Sequence, residues 1–167
     1  LLQALQGPDN QRPAVLQAFC RLGLNDASGQ IDRCRNDSNP LVAGAAHAYA
    51  ARVLGDQQGL HPLVEQLRDD NPGRRRAAVI DLGDAGRIEA LAALIRCPVS
   101  MPLRAKSAFQ MATSQAGAID PEATDLLKEL LQDDPRQLNL HGIPETAADP
   151  EAIKEGLQHR DEARQYA

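Results

Sequence analysis

The chain has 167 residues, and its 18 lysines and arginines against 23 aspartates and glutamates give a formal net charge of −5. Alanine (27) and leucine (22) dominate the apolar residues, whereas Trp is absent and Phe and Tyr occur twice each. Such a chain repels phosphate and offers few aromatic rings for base stacking, so nucleic acid is excluded as the expected partner. Alanine and leucine favour helices over strands, which predicts an all-α fold.

Cysteine usage and hydropathy indicate the compartment. Cys20, Cys34 and Cys97 show neither metal-ligand nor redox spacing, so we expect reduced thiols in a cytoplasmic protein and no metal site. The longest weakly polar run, residues 41–51, is too short to cross a bilayer, and no membrane insertion is expected. The sequence starts without Met inside a predicted helix, which favours a fragment of a longer chain.

Prolines recur at a regular spacing along the chain. Six residues after each of them lies an alanine, a small side chain that allows two helices to approach closely. The period predicts four units, near residues 8–39, 40–71, 72–101 and 102–133. The prolines are Pro8, Pro40, Pro72 and Pro102, at spacings of 32, 32 and 30 residues.

Each unit is predicted to hold two helices joined by a glycine turn. The pairs Leu22-Gly23, Leu54-Gly55 and Leu82-Gly83 are expected to end the first helices, because glycine accepts a left-handed conformation. In the third unit this pair comes four residues earlier, which predicts a first helix shorter by one turn. The second helices show apolar stripes at Leu60, Leu63, Val64 and Leu67, and at Ile88, Leu91, Ala92 and Ile95.

The aspartates that follow two of these pairs, Asp56 and Asp84, are interpreted as turn or N-cap residues. A single helical hairpin cannot bury its own apolar face, so the units are expected to stack into one α-solenoid domain over residues 1–167, with a right-handed superhelix. Residues 133–149 carry no such period and are predicted to form an irregular loop, and residues 161–167 are read as the start of a further unit.

Two kinds of motif resemble a known family. Asn39-Pro40 followed by Ala45-Ala46, Asn71-Pro72 followed by Arg76-Ala77-Ala78, and Leu-Gly-Asp at residues 54–56 and 82–84 resemble the HEAT-like repeats of phycobilisome lyases. The stretches Cys-Pro-Val-Ser-Met-Pro-Leu-Arg-Ala-Lys (97–106) and Gln-His-Arg-Asp-Glu-Ala-Arg-Gln-Tyr (158–166) are similar to the E/F-type bilin lyase and lyase-chaperone subunits of cyanobacteria.

This resemblance implies a subunit of a phycobilin:phycobiliprotein lyase, or its chaperone, which helps attach a linear tetrapyrrole to a cysteine of a phycobiliprotein. It implies a phycobilin as transient substrate, no permanently bound cofactor, and two partners: a related HEAT-like lyase subunit in a heterodimer, and a phycobiliprotein subunit. The Asn-His-Cys-Gln-Gly-Asn motif of isomerising members is absent from this sequence. The alternative function is a HEAT-like scaffold for protein–protein interaction without catalytic activity.

A bilin carrier needs cations for two propionates, and the second helices are the first place to look for them. Arg68 and Arg96 both lie 13 residues beyond a Leu-Gly glycine, which predicts that they stack in adjacent units. Two guanidinium groups there suit two carboxylates, while the alternative is that both cap helix ends. No Ser/His/Asp arrangement or phosphate loop is present, and catalytic residues stay unknown. The candidate ligand-binding residues are His61, Glu65, Arg68, Arg96, Cys97, Arg75, Arg76 and Arg104.

The basic run Arg74 to Arg76 at the start of the third unit supplies the candidates Arg75 and Arg76, and Arg104 lies at a matching place in the fourth unit. Counting from the prolines aligns Arg104 with Arg74, and the alternative interpretation of the run is ion pairing between units. The helix from Leu41 to Leu54 contains only His47 and Arg52 as ionisable groups, so we expect it to be covered by a partner protein or to lie within the stack beneath a loop. The candidate interface residues are Leu41, Val42, His47 and Tyr49.

Overall fold

The computed structural model describes residues 2–25, 28–115, 117 and 119–132. In these residues every regular element is helical, which confirms the all-α prediction. None of the helices in this part is long and apolar enough to cross a membrane. The α-helices are α1 (Arg12–Leu22), α2 (Ser28–Arg33), α3 (Pro40–Val53), α4 (Leu60–Gln66), α5 (Pro72–Ala85), α6 (Leu91–Ile95), α7 (Met101–Thr113) and α8 (Pro121–Gln132), with short 3₁₀ helices at Leu2–Gln6, Cys34–Asn36, Gln57–Gly59 and Ile88–Ala90.

The helices pack in chain order. Helix α3 lies between α1 and α5, and α5 lies between α3 and α7. The shorter helices attach beside this row: α4 contacts α3 and α5, and α6 contacts α7 and α8. Buried leucines and alanines of successive helices form one continuous core cluster, as expected where each helix pair covers the next.

The alanines expected at the helix contacts are largely where the period predicts them. Ala46, Ala78 and Ala108 are at most 1 % exposed, which suits the close approach of α3, α5 and α7. The first unit departs from this pattern, because Ala14 is exposed and α1 begins at Arg12 rather than at Pro8. Pro13 therefore takes the proline position in the first turn of α1.

The same capping turn starts α3 and α5. The Oδ1 atoms of Asn39 and Asn71 accept the backbone N–H groups of Leu41 and Gly73, at 3.0 and 2.8 Å. Two residues upstream of each asparagine, an aspartate accepts the N–H of that asparagine, Asp37 at 2.9 Å and Asp69 at 2.8 Å. These side chains satisfy helix N-terminal donors that have no partner within the helix, so they fix both starting points.

The ends of the first helices confirm two of the three glycine predictions. Gly23 caps α1 with φ +64°, and Gly55 follows α3 with φ +71°. The prediction for Leu82-Gly83 was wrong, because α5 continues through Ala85 and ends at Gly86, where φ is +66°. Gly83 lies inside the helix, where a Cβ atom would approach the Ser107 Cβ to 2.9 Å. This glycine allows close packing on α7, and α5 is not shortened by a turn.

The sequence predicts helices at about 102–115 and at 121–132; α7 begins one residue earlier and ends two residues earlier than the first of these ranges, and α8 matches the second. The predicted loop at 133–149 and the further unit at 161–167 lie outside the described residues.

Candidate functional site

A cleft of about 330 Å³ opens between α4 and α6. Its floor consists of apolar side chains, and the residues that follow each helix supply its polar side chains, Arg68 and Arg96. The cleft is lined by Val64, Leu67, Arg68, Ala92, Ala93, Arg96, Cys97 and Pro98. Three of the sequence-predicted ligand residues therefore meet at one place: Arg68, Arg96 and Cys97.

The two arginines of this cleft reach solvent. The Arg68 side chain is 78 % exposed, and its Nη1 lies 3.7 Å from Oε1 of Glu65, a loose ion pair that contributes little energy at such exposure. Arg96 is also exposed and follows the last residue of α6. Cys97, only 7 % exposed, forms part of the wall. The cleft thus combines an apolar floor with two solvent-exposed cations at its edge.

Arg75 and Arg104 are used inside the fold. Nη1 of Arg75 donates to the carbonyl oxygens of Asp69 and Asp70, at 2.9 and 3.1 Å. Nε of Arg104 donates to the Val99 carbonyl at 2.8 Å, and its Nη1 donates to the Ile95 carbonyl. With exposures of 2 % and 7 %, both side chains satisfy carbonyls at or just after the end of the preceding short helix.

This geometry corrects the register inferred from the prolines. Arg75 and Arg104 are each the fourth residue of their helix, because α5 starts at Pro72 and α7 starts at Met101. Arg104 therefore corresponds to Arg75 rather than to Arg74. Of the other predicted ligand residues, Arg76 is half-buried on α5, whereas His61 and Glu65 are exposed on α4 and neither lines the described cleft.

The candidate interface residues of α3 divide into two groups. Val42 and Tyr49 have no exposed surface within the chain, and the Tyr49 hydroxyl donates to the Leu24 carbonyl at 2.7 Å. The interface expectation does not hold for these two, since other helices of this chain already cover them. Leu41 stays 37 % exposed, and His47 is half-buried in a polar pocket with Asp32, Arg35 and Asn36. Burial lowers the pKa of His47, which favours its neutral form.

Two buried carboxylates on α5 were not identified as a site in the sequence. Asp81 is 1 % exposed, and its Oδ1 accepts a hydrogen bond from Nε2 of Gln17 at 2.9 Å. Burial raises the pKa of Asp81 to about 7. Asp84 is 1 % exposed and its Oδ1 pairs with Nε of Arg21 at 2.8 Å. The burial of Asp81 could have been predicted from the sequence, because Asp81 shares a helix face with Ala78 and Ala85, which are both buried.

The prediction that Asp84 is a turn or N-cap residue was therefore wrong, since it lies within α5. The matching prediction for Asp56 is confirmed, because its Oδ1 accepts the N–H of Gln58 at 2.9 Å at the start of a 3₁₀ helix. Among the described residues, no group of three or more His, Cys, Asp or Glu side chains is placed to hold a metal ion.

Sequence comparison gives the following relationships. No family model matches the chain. It is 26% identical over 155 residues, 91% of this chain and 37% of the relative, to the "Uncharacterized phycocyanin operon protein Y" of Pseudanabaena tenuis (strain PCC 7409). It is 32% identical over 93 residues, 54% of this chain and 35% of the relative, to the "Bilin biosynthesis protein RpcE" of Synechococcus sp. (strain WH8020).

The chain is thus a distant homologue of a bilin biosynthesis protein and of a phycocyanin operon protein, which confirms the resemblance drawn from its motifs. It spans a little over a third of the length of each of these relatives.

Proposed function

We propose that the chain is a subunit of a phycobilin:phycobiliprotein lyase, or a chaperone in the same reaction, and that the α4–α6 cleft holds the linear tetrapyrrole. The distant homology to a protein named for bilin biosynthesis supports this class of function. The observation that carries the proposal is the meeting of Arg68 and Arg96 at the edge of one apolar cleft.

The chemistry of a linear tetrapyrrole matches this cleft. The molecule has a flat apolar conjugated body and two propionate groups, which are anionic at neutral pH. Arg68 and Arg96 offer planar guanidinium groups that bind carboxylates through paired hydrogen bonds. Val64, Leu67, Ala92 and Ala93 offer an apolar surface for one face of the body, with Cys97 beside them. A cleft of about 330 Å³ is at the small end of ligand sites, so it holds part of the chromophore and leaves the rest accessible for transfer.

The proposal extends to the architecture and the partners. The row of α1, α3, α5 and α7, with α4, α6 and α8 beside it, supports an α-solenoid of HEAT-like units, and we propose that its superhelix is right-handed. In this proposal the solenoid binds a related HEAT-like subunit and a phycobiliprotein subunit in the cytoplasm, and the bilin is a transient substrate. His61, Glu65 and Arg76 remain candidates for contacts with the more exposed part of the chromophore.

Visible absorption spectroscopy tests the proposal. Mixing the full chain with a phycobilin, alone and together with a related HEAT-like subunit, should shift the chromophore band. The variants Arg68→Ala and Arg96→Ala should each weaken binding by about tenfold, the effect of one charge-assisted pair, while Arg33→Ala, an exposed arginine on α2, should leave it unchanged. An unshifted band under both conditions would overturn the assignment.

A second candidate function is a HEAT-like interaction scaffold without ligand chemistry. It is favoured by the internal use of Arg75 and Arg104, whose guanidinium groups bond backbone carbonyls instead of facing the cleft. For a scaffold, the wild-type chain should bind a phycobiliprotein subunit in sedimentation experiments without affecting chromophore absorption. Loss of chromophore transfer in Arg68→Ala, with partner binding intact, would exclude this alternative.

A further inference from the structure

A second cleft, of about 230 Å³, lies on the other side of α6, between the 3₁₀ helix Ile88–Ala90 and the start of α8. Its apolar lining is Ile88, Ala92, Ala123 and Leu126. Three carboxylates, those of Glu89, Asp120 and Glu122, complete the lining.

The balance of charge around this α6–α8 cleft is negative. Glu89 is paired with Arg87, whose Nη2 lies 2.8 Å from Oε1, so this carboxylate is compensated. Asp120 accepts the N–H of Ala123 at 2.9 Å as a helix cap, and Glu122 is exposed in the first turn of α8. No cation is among the residues that line this cleft, so Asp120 and Glu122 leave it negative, whereas the α4–α6 cleft carries Arg68 and Arg96.

The two clefts are adjacent, because Ala92 lines both of them. The other α6 residue of the first cleft, Ala93, is also an alanine, and both are half-buried. The two clefts therefore share the Ala92 side chain of α6 as a common wall. The surface formed by α4, α6 and α8 therefore places a basic cleft and an acidic cleft next to one another.

We propose that the α6–α8 cleft docks a lysine- or arginine-bearing segment of the protein that receives the bilin. This rests on the proposed function, since the neighbouring cleft is the one that holds the chromophore. The apolar lining accommodates the methylene stem of a long basic side chain, and Asp120 and Glu122 bind its charged head. Complementary charge orients the incoming protein so that its acceptor cysteine approaches the α4–α6 cleft.

Charge reversal with a matched control tests the docking surface. The cleft pair Glu89→Lys/Glu122→Lys reverses two lining carboxylates and spares Asp120, because Asp120 caps α8. The control pair Asp125→Lys/Glu129→Lys makes the same change in net charge at exposed positions of α8 outside the cleft, and Asp125 is ion-paired with Lys128 as Glu89 is with Arg87. Binding of apo-phycocyanin is measured by titration calorimetry at low and at moderate salt, with sedimentation to detect self-association. Circular dichroism confirms that each pair is folded.

The cleft pair should weaken apo-phycocyanin binding by about tenfold at low salt and reduce its salt dependence, while the control pair changes it by less than about twofold. The docking proposal would be overturned if both pairs weakened binding equally or if neither pair weakened it. It would also be overturned if the wild-type chain did not bind apo-phycocyanin, or if it self-associated instead. If apo-phycocyanin binding follows the expected pattern but no variant or wild-type chain shifts a bilin band, the chromophore site fails while the docking surface stands.

Discussion

Gln17 of α1 donates a hydrogen bond of 2.9 Å to Asp81 of α5, although 64 residues separate them along the chain. Helix α3 reaches the same carboxyl group through Gly44, where a Cβ atom would lie 2.9 Å from the Asp81 Oδ2. Burial raises the pKa of Asp81 to about 7; the Gln17 bond and the Arg21 charge lower it, and the Asp84 charge raises it. One carboxyl group thus joins three successive helices of the row.

The first prediction concerns the pH dependence of stability. The folded pKa of Asp81, about 7, lies above its ordinary value of 3.8, so the folded state binds more protons between these values. The free energy of unfolding should therefore fall as pH rises from about 4 to 7 and level off above 7, by on the order of 4 kcal/mol for a pKa difference of about three. Urea unfolding at a series of pH values measures this.

The matched variant for this prediction is Asp81→Asn, which cannot ionise. Its stability should be much less dependent on pH in this range, since the variant lacks the carboxyl group whose pKa is raised on folding. Parallel pH profiles for wild type and Asp81→Asn would contradict the assignment.

The second prediction concerns the buried arginines. Arg104→Met keeps much of the side-chain volume but removes the donors to the Ile95 and Val99 carbonyls. Leaving buried carbonyls unbonded should cost on the order of 2 kcal/mol in the free energy of unfolding. Arg74→Met removes only an exposed ion pair with Asp69, whose atoms are 3.3 Å apart, and should cost less than about 1 kcal/mol. Chemical denaturation compares the two, and equal losses would count against the capping role.

The third prediction concerns the contact between α5 and α7. In Gly83→Ala the new methyl group would lie 2.8 Å from Gln110 Oε1 and 2.9 Å from the Ser107 Cβ. Overpacking should lower the melting temperature and cost about 1 to 3 kcal/mol, in spite of the better helix propensity of alanine. The control is Gly29→Ala on α2, where a Cβ meets no atom within 4 Å. There the change should be neutral or should stabilise the protein by up to about 1 kcal/mol. A Gly83→Ala protein as stable as the wild type would refute the close contact between α5 and α7.

The fourth prediction concerns thiol reactivity. Cys20 has no exposed surface, and burial raises its pKa to about 12, with the Asp84 charge acting in the same direction. Cys34 is half-buried and Cys97 is 7 % exposed. At pH 8 a maleimide should modify Cys34 first and Cys20 last, and mass spectrometry of peptides reads the order. Rapid labelling of Cys20 in the native protein would contradict the packing of α1 on α5.

Local sequence signals located most of the helices. Pro40 and Pro72, each preceded by a capping asparagine, mark the starts of α3 and α5, because proline position and side-chain capping are decided within a few residues. The glycine at 83 misled because its role depends on α7, 24 residues later, and no local signal separates a packing glycine from a capping one.

The candidate site was predicted only in part, because the sequence shows the repeat period but not the contacts between distant helices. Arg68 and Arg96 were expected to be neighbours from the repeat, and both line the α4–α6 cleft. Arg75 and Arg104 were not recognised as buried, since a charged side chain near a helix start reads as exposed until the preceding helix end is placed against it. Val42 and Tyr49 were predicted to lie at a partner interface, because the sequence does not show that α1 and α5 pack against α3 and bury them.

The aspartate and asparagine turns before α3 and α5 also bear on the order of folding. Their hydrogen bonds join residues only two apart, such as Asp37 with Asn39 and Asn71 with Gly73, so closing them costs little chain entropy. During synthesis each unit boundary can form as soon as its own turn has left the ribosome. The Gln17–Asp81 bond must await synthesis of the third helix of the row, so the boundaries precede the long-range lock that joins them.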